Sequence, residues 1–325
     1  MLSGILVVAK PVGPTSHDVV ALIRRLSGTR RIGHGGTLDP FASGVLPLFL
    51  GSATRLVEYH MADRKTYRAT ICFGASSSTD DLEGELDPAD GPPLDRARVE
   101  GALQRFRGKV VQRPPAYSAV KVAGRRAYAI ARSGEEPEVP LREVTIHRLE
   151  LERWDDTDPA RPVAVVEVEC SAGTYVRALA RDLGTALGSA AYLGALTRLG
   201  SGSFTLDEAY GLDAVREAAA AGPAGLAGLL LAPDAGLDHL VVATLDDVEV
   251  AAIVLGQFVR PRTRVDATVG SIVRVRAADG SLVAIAEWQH DRLAPTKVLR
   301  APPAATDGAE PEDDVAAPAA PEPAT

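Results

Sequence analysis

The 325-residue sequence has only two cysteines, Cys72 and Cys170. That is too few for a disulfide framework or a cysteine-rich zinc site, and buried free thiols are the simpler reading. There is no uninterrupted apolar run long enough to cross a bilayer; even the Ala/Gly/Leu stretch 219–232 is broken by Gly222 and Pro223. No basic stretch followed by a long apolar segment and a small-residue cleavage site opens the chain, because Gly4 to Ala9 is short and runs into Lys10-Pro11. Cytoplasmic residence without membrane association is the expectation. A Walker loop and a dinucleotide fingerprint are both missing, since Gly33 to Gly36 lacks their strand, spacing and lysine context. His17, His60, His147, His239 and His290 follow no metal-ligand spacing, which argues against a metal site. Ser16-His17-Asp18 is contiguous at an expected helix start, and adjacency there is not triad geometry.

What is present is an uneven charge. The chain carries a formal -8 with a pI near 5.4, which by itself speaks against a nucleic-acid partner. From Asp95 to Arg132, however, ten basic residues face two acidic ones, a local +8, whereas residues 301–325 hold six acids and no Lys or Arg. A local basic surface can bind phosphates on an otherwise acidic protein; an ordinary solvated helix and hairpin would have the same composition.

Gly4 to Ala9 predicts a buried strand, and the break at Lys10-Pro11-Val12-Gly13-Pro14 follows it. Thr15 and Asp18 have capping-box spacing ahead of Val19, Leu22, Ile23 and Leu26 at helical intervals. Tyr67, Ala69, Ile71 and Phe73 alternate with Arg68, Thr70 and Cys72, a strand pattern. The acidic, turn-rich stretch 80–93 is expected to cross the surface, and Leu94, Val99, Leu103 and Phe106 suggest a helix over 94–108. Val163 to Cys170 reads as a strand; Ser171 to Thr174 then introduces a helix striped by Val176, Leu179, Ala180, Leu183 and Leu187, with Tyr175 and Arg177 near its start. Short helices and a domain boundary are expected around 218–232. Thr244 and Asp247 offer a second capping box for a helix near 248–256, and Ser271 to Ala277 and Leu282 to Ala286 read as strands about an Asp279-Gly280 turn. Residues 301–325 have too little apolar material to offset chain ordering and are expected to be a disordered acidic Pro/Ala-rich tail.

The most informative stretch is Gly33-His34-Gly35-Gly36-Thr37-Leu38-Asp39-Pro40-Phe41-Ala42-Ser43-Gly44-Val45-Leu46-Pro47, read as a loop. Its glycines permit close backbone approach, and Pro40 keeps Asp39 out of a continuing helix. The segment could hold a reactive carboxylate still, or Asp39 could simply cap a turn. Arg177 is the type of partner that would fix and charge such a carboxylate. Tyr67 could stack on a planar ring, exchange a proton, or pack in the core. His34 could meet phosphate or a base edge, or satisfy the loop backbone. The basic segment with Tyr117, Tyr128 and Tyr175 fits RNA binding, although no regular aromatic platform is evident.

Five segments in order extend these readings. Val8-Ala9-Lys10-Pro11-Val12-Gly13-Pro14-Thr15-Ser16, Arg31 to Pro40, Lys65-Thr66-Tyr67-Arg68, Tyr117-Ser118-Ala119-Val120-Lys121 and Gly173-Thr174-Tyr175-Val176-Arg177 together resemble the bacterial TruB family of tRNA pseudouridine synthases. The resemblance covers roughly residues 4–210 and is weaker beyond, where Gly280 and Pro295-Thr296-Lys297-Val298-Leu299 resemble a PUA-like ending. It implies an α+β fold: a mixed-sheet catalytic domain over 1–235, including the RNA-binding segment 95–132, and a small PUA-like RNA-binding domain over 236–300.

The implied activity is isomerisation of a uridine to pseudouridine in the T arm of tRNA, at position 55, without cofactor or metal, by a monomer with no obligate protein partner. The implied roles are Asp39 as catalytic carboxylate, Tyr67 as active-site aromatic, Arg177 as partner of Asp39, His34 as an aid to base flipping, and Lys10, Tyr175 and Leu196 as pocket support. Arg113, Lys121, Arg125, Arg126, Arg132 and Arg198 are the RNA-binding candidates. Ala195-Leu196-Thr197-Arg198-Leu199 departs from a pocket-edge motif commonly richer in aromatic and basic residues, so Ala195 and Thr197 remove one stacking surface and one positive contact. A non-catalytic tRNA-binding folding factor is the alternative from another class, and a metal-dependent hydrolase a distant third.

Overall fold

A computed structural model describes residues 2–61 and 64–300, so the acidic tail lies outside the described residues. These divide into two compact units between Leu240 and Val241, against an expected boundary after residue 235.

The first unit grows from a run of apolar strand. β1 (Gly4–Lys10) is buried along nearly its whole length and ends at Pro11. Thr15 caps α1 (Ser16–Ser27): its hydroxyl accepts from the Asp18 N–H at 3.1 Å while the Asp18 carboxylate accepts from the Thr15 N–H at 2.9 Å. Gly28, at φ 64°, ends the helix in the left-handed region where a side chain would be strained. β2 (Ile32–His34) and β3 (Ser43–Leu50) then form a pair, so the stretch expected as one loop over 33–47 is loop only over 35–42. Pro47 fits inside β3 because pairing with β2 begins at Leu48; its carbonyl accepts from the Gly35 N–H, and no donor is needed.

Five longer elements complete the sheet: β4 (Lys65–Phe73), β5 (Gly108–Gln112), β6 (Arg142–Asp155), β7 (Val163–Cys170) and β8 (Ala191–Ser201). The order is Tyr210–Gly211, β1, β3, β8, β4, β7, β6, β5, with β2 beside β3 and Phe204–Thr205 beside β8. The sheet is mixed, since β8 runs parallel to β3 and antiparallel to β4. This register sets Arg198 of β8 opposite both Gly44 of β3 and Tyr67 of β4.

Strand alternation decides which side chains enter the core. Tyr67, Ala69, Ile71 and Phe73 are buried and pack with Val166 and Val168 of β7. Two helices cover this layer: α2 (Arg96–Gln104) through Val99 and Leu103, and α3 (Val176–Ala186) through Leu179 and Leu183. α2 is shorter than the apolar pattern over 94–108 suggested, because Asp95 caps it and the chain turns back into β5 at Gly108, φ 83°. A second cluster joins Leu6 and Val8 to α1 and to α4 (Leu212–Ala220) through Val19, Ile23 and Val215, while Ile5 and Val7 point the other way to Phe49 and Phe204. Cys170 is buried and Cys72 half-buried, and both are free thiols.

The second unit orders β9 (Val241–Leu245), β10 (Ile272–Ala277), β11 (Leu282–Gln289) and β12 (Arg292–Val298) in one sheet. Its helix α5 (Asp247–Val254) packs Val250 and Ile253 on the sheet core. The capping box is Asp246 with Glu249, not Thr244 with Asp247, because Thr244 is held in the β9–β10 ladder. Among the described residues no helix is long and apolar enough to cross a membrane.

Candidate active site

Loop 35–42 is fastened from below before any charge is considered. The Ser16 hydroxyl at the start of α1 donates to the Leu38 carbonyl at 3.0 Å and accepts from the Leu38 N–H at 2.9 Å. The Gly13 N–H donates to the Pro40 carbonyl at 2.9 Å, and the Ala42 N–H to the Asp39 carbonyl at 3.1 Å, closing a turn with Pro40 at its second position. Lys10, only 1% exposed, donates through Nζ to the carbonyls of Pro11 at 2.9 Å, Pro14 at 2.7 Å and Pro40 at 3.4 Å. Burial lowers the Lys10 pKa, with Asp39 opposing. The resemblance placed Lys10 in the pocket wall; its bonds make it a tie between the first loop and the Asp39 loop.

The Asp39 side chain does not cap the turn; it meets Arg177, whose Nη2 lies 3.1 Å from Asp39 Oδ2. Arg177 also donates through Nη1 to Asp81 Oδ2 at 3.0 Å and to the Thr79 carbonyl at 3.2 Å, and through Nη2 to the Tyr117 carbonyl at 3.0 Å. One guanidinium at the start of α3 therefore gathers three separate segments. Asp81 is fully engaged, because its Oδ1 accepts from the Thr79 hydroxyl at 2.5 Å and from the Glu83 N–H at 3.0 Å. The two carboxylates differ in access: the Asp39 side chain keeps 37% of its surface and Asp81 only 3%. Asp39 is the one a substrate can reach. Burial raises its pKa above the usual carboxylate value; Arg177 pulls down, Asp81 pushes up and Lys10 pulls down, with burial prevailing.

Asp81 was missed by the reading that sent 80–93 across the surface. Its neighbour Asp80 is drawn inward too, accepting from Arg181 Nη1 at 2.8 Å. The signal was the Thr79-x-Asp81 spacing, in which a hydroxyl can hold a nearby carboxylate.

Tyr67 belongs to one apolar cluster with Leu38, Phe41 and Leu196, each 9% exposed or less. Burial raises the phenol pKa, while the charge of Arg198 works against it. Arg198 itself overturns an expectation. It is 1% exposed and donates to the carbonyls of Val45 at 2.6 Å, Gly36 at 3.1 Å and Thr37 at 3.5 Å, so it braces the Asp39 loop from inside and is no surface cation. Gly44 makes room for it: a Cβ there would lie 2.2 Å from the Arg198 carbonyl oxygen.

His34 ends β2, its ring edge-on to His17 at 5.7 Å between centroids and its Nδ1 buried without a partner. Burial first, then the charges of His17 and Arg198, lower its pKa and favour neutral imidazole. Tyr175 precedes α3; its N–H donates to Gln112 Oε1 at 3.2 Å, and its ring lies under the Arg142 guanidinium at 5.6 Å.

The other basic candidates do not gather at Asp39. Arg96, Arg98, Arg107 and Lys109 bond to Glu100, Pro93, Leu149 and Glu143, so four of the ten basic residues of the +8 segment are tied into the fold. Arg113 is exposed yet donates to the Val139 carbonyl at 3.0 Å. Lys121, Arg125, Arg126 and Arg132 are exposed on the hairpin Lys121–Val122/Arg125–Arg126 and the short helix after it, where Arg125 pairs with Glu135 at 3.4 Å and Arg132 covers Tyr128. Among the described residues no cluster of three or more His, Cys, Asp or Glu could hold a metal ion.

The mixed sheet that carries this arginine-paired carboxylate has the fold of an RNA-uridine isomerase. The structure superposes on the chain of a Cbf5-Nop10-Gar1 complex with a TM-score of 0.70 at 25% identity, over 92% of this chain and 85% of that one. A family model described as TruB family pseudouridylate synthase (N terminal domain) matches residues 24–176. The tRNA pseudouridine synthase B of Parasynechococcus marenigrum is 46% identical over 297 residues, 91% of this chain and 97% of that protein. That of Thermobifida fusca is 49% identical over 219 residues, 66% of this chain and 74% of that one. The chain belongs to the TruB family of pseudouridylate synthases.

Proposed function

We propose that the protein converts uridine to pseudouridine in the T arm of tRNA, at position 55, by cleaving the N-glycosidic bond, turning the detached uracil and joining C5 to C1′. The observation that carries this reading is the Arg177–Asp39 pair, with Asp39 reachable and its neighbours Leu38 and Phe41 in the same buried cluster as Tyr67. The reaction conserves atoms and oxidation state, so catalysis has to come from placement and charge.

The target base is stacked in folded RNA, and extracting it costs about a few kcal/mol. His34, neutral and with a free ring nitrogen, is suited to fill the vacated space. Asp39 then acts at the ribose, either attacking C1′ or taking a ribose proton; both routes begin from the carboxylate, and both are served by a rigid loop and an arginine that orients Oδ2. Leu196 and the Tyr67 ring supply the apolar faces against which a pyrimidine rotates without escaping.

The exposed cations Arg113, Lys121, Arg125, Arg126 and Arg132 serve as phosphate contacts. The unit from Val241 acts as a PUA-like RNA-binding domain. The protein works as a cytoplasmic monomer on tRNA, without an obligate protein partner. Because the exposed cations lie outside the Asp39 constellation, the same surface would also serve a tRNA-folding activity independent of chemistry. Site-mapped pseudouridine formation on unmodified tRNA transcripts tests the reading; a folded, tRNA-binding parent that leaves the T-arm uridine unchanged refutes the substrate assignment.

A further inference from the structure

Arg198 is a buried cation that meets no carboxylate. At 1% exposure its guanidinium is spent on three backbone carbonyls, those of Gly36, Thr37 and Val45, and among the described residues it forms no ion pair. Desolvating a charge costs several kcal/mol, and a neutral side chain could fill the same space without that cost. The position of the charge therefore needs a reason. Arg198 faces Tyr67 directly across the β8–β4 ladder, on the same side of the sheet, and its charge opposes the effect of burial on the phenol. A guanidinium carries donors only, so toward Arg198 the phenol oxygen can act only as an acceptor, and its own hydrogen is left for a group in the pocket.

We propose that Arg198 is a positioning residue for the isomerisation: one planar cation holds the loop that carries Asp39 and the phenol of Tyr67 in a single frame, with the Tyr67 O–H offered to a carbonyl oxygen of the uracil. This rests on the isomerase reading and deepens it. Arg198 touches neither substrate nor reacting atoms. It fixes the spacing between two groups that do. A lysine, with a point charge on a flexible stem, cannot satisfy Gly36, Val45 and Tyr67 together.

The test is a cycle of R198K, Y67F and R198K/Y67F, read as single-turnover pseudouridine formation at saturating enzyme and, separately, as tRNA affinity and melting temperature. R198K is expected to slow chemistry roughly 10–100-fold with tRNA affinity kept within about twofold, and to add little further loss in the Y67F background. An equal loss in both backgrounds overturns the assignment, as does a loss confined to tRNA affinity. If R198K does not fold, the slowly exchanging guanidinium 15N resonance of Arg198 is compared between the unmutated protein and Y67F; a shifted resonance supports the contact and an unmoved one overturns it. A parent that modifies no uridine removes the isomerase reading itself, and with it the catalytic sense of this assignment, whereas an active parent with additive losses removes the assignment alone.

Discussion

Replacing Asp81 by asparagine tests the carboxylate network at its hidden end. The Asp81 carboxylate accepts from three donors: Arg177 Nη1 on Oδ2, and the Thr79 hydroxyl and Glu83 N–H on Oδ1. An amide keeps the shape and fails the pattern, because either orientation of its NH2 faces a donor, Arg177 in one and the Glu83 N–H in the other. Breaking a buried pair from one side costs about 3–5 kcal/mol, and Arg177 keeps Asp39 and two carbonyls, which favours about 3 kcal/mol or roughly 6–12 °C in melting temperature. Arg177 then loses its anchor opposite Asp39, and a displacement of about 1 Å at a reacting group is worth roughly 100-fold in rate. The pH dependence carries a sign. Asp81 is one of the charges holding the Asp39 pKa up, so its neutralisation lets Asp39 ionise at lower pH and moves the acidic limb of the single-turnover rate downward. Single-turnover rates across pH with D81N at saturating enzyme, together with a melting curve, provide the assay. A parental rate and stability, or an acidic limb that moves upward, would refute the network.

Asp39 should cost stability at neutral pH. Its folded pKa is raised, so its favourable contribution is present below the unfolded carboxylate value and lost as pH rises through the folded value; D39N is expected to melt above the parent at pH 7, with the gap closing as pH falls, and a lower melting temperature at pH 7 contradicts the burial argument. G44A places a Cβ 2.2 Å from the Arg198 carbonyl at φ 111° and should destabilise by roughly 3 kcal/mol or more in a denaturant titration. R125A and R126A should weaken tRNA binding and lower the salt slope by about one phosphate contact each while leaving the saturated rate unchanged; a slower rate at saturation would place them in the chemistry.

The legible parts of this fold are those where one local pattern suffices. β4 and β7 alternate cleanly and follow the predicted strands, and the Thr15/Asp18 box starts α1 as read. β6 went unread because bulges at Ile146/Arg148 and Leu151/Arg153 reset its two-residue period, and β8 was seen only as a motif because Leu193/Ala195 and Arg198/Gly200 do the same. Asp39 and Arg177 stood out through ordered motifs, but their contact spans 138 positions and needs the sheet to exist. Asp81 and Arg198 are polar residues whose burial is created by tertiary partners. Composition assigns such residues to the surface, and only Thr79, Glu83 and Arg177, or the carbonyls of loop 35–42, reveal otherwise.

The central claim is that Asp39, reachable and held by Arg177, performs the chemistry. Single-turnover, site-mapped pseudouridine formation by D39N, at enzyme concentrations that saturate tRNA binding, tests it most directly. The account predicts a folded protein that binds tRNA as the parent does and forms no pseudouridine at the T-arm uridine. Normal single-turnover formation by D39N would contradict it.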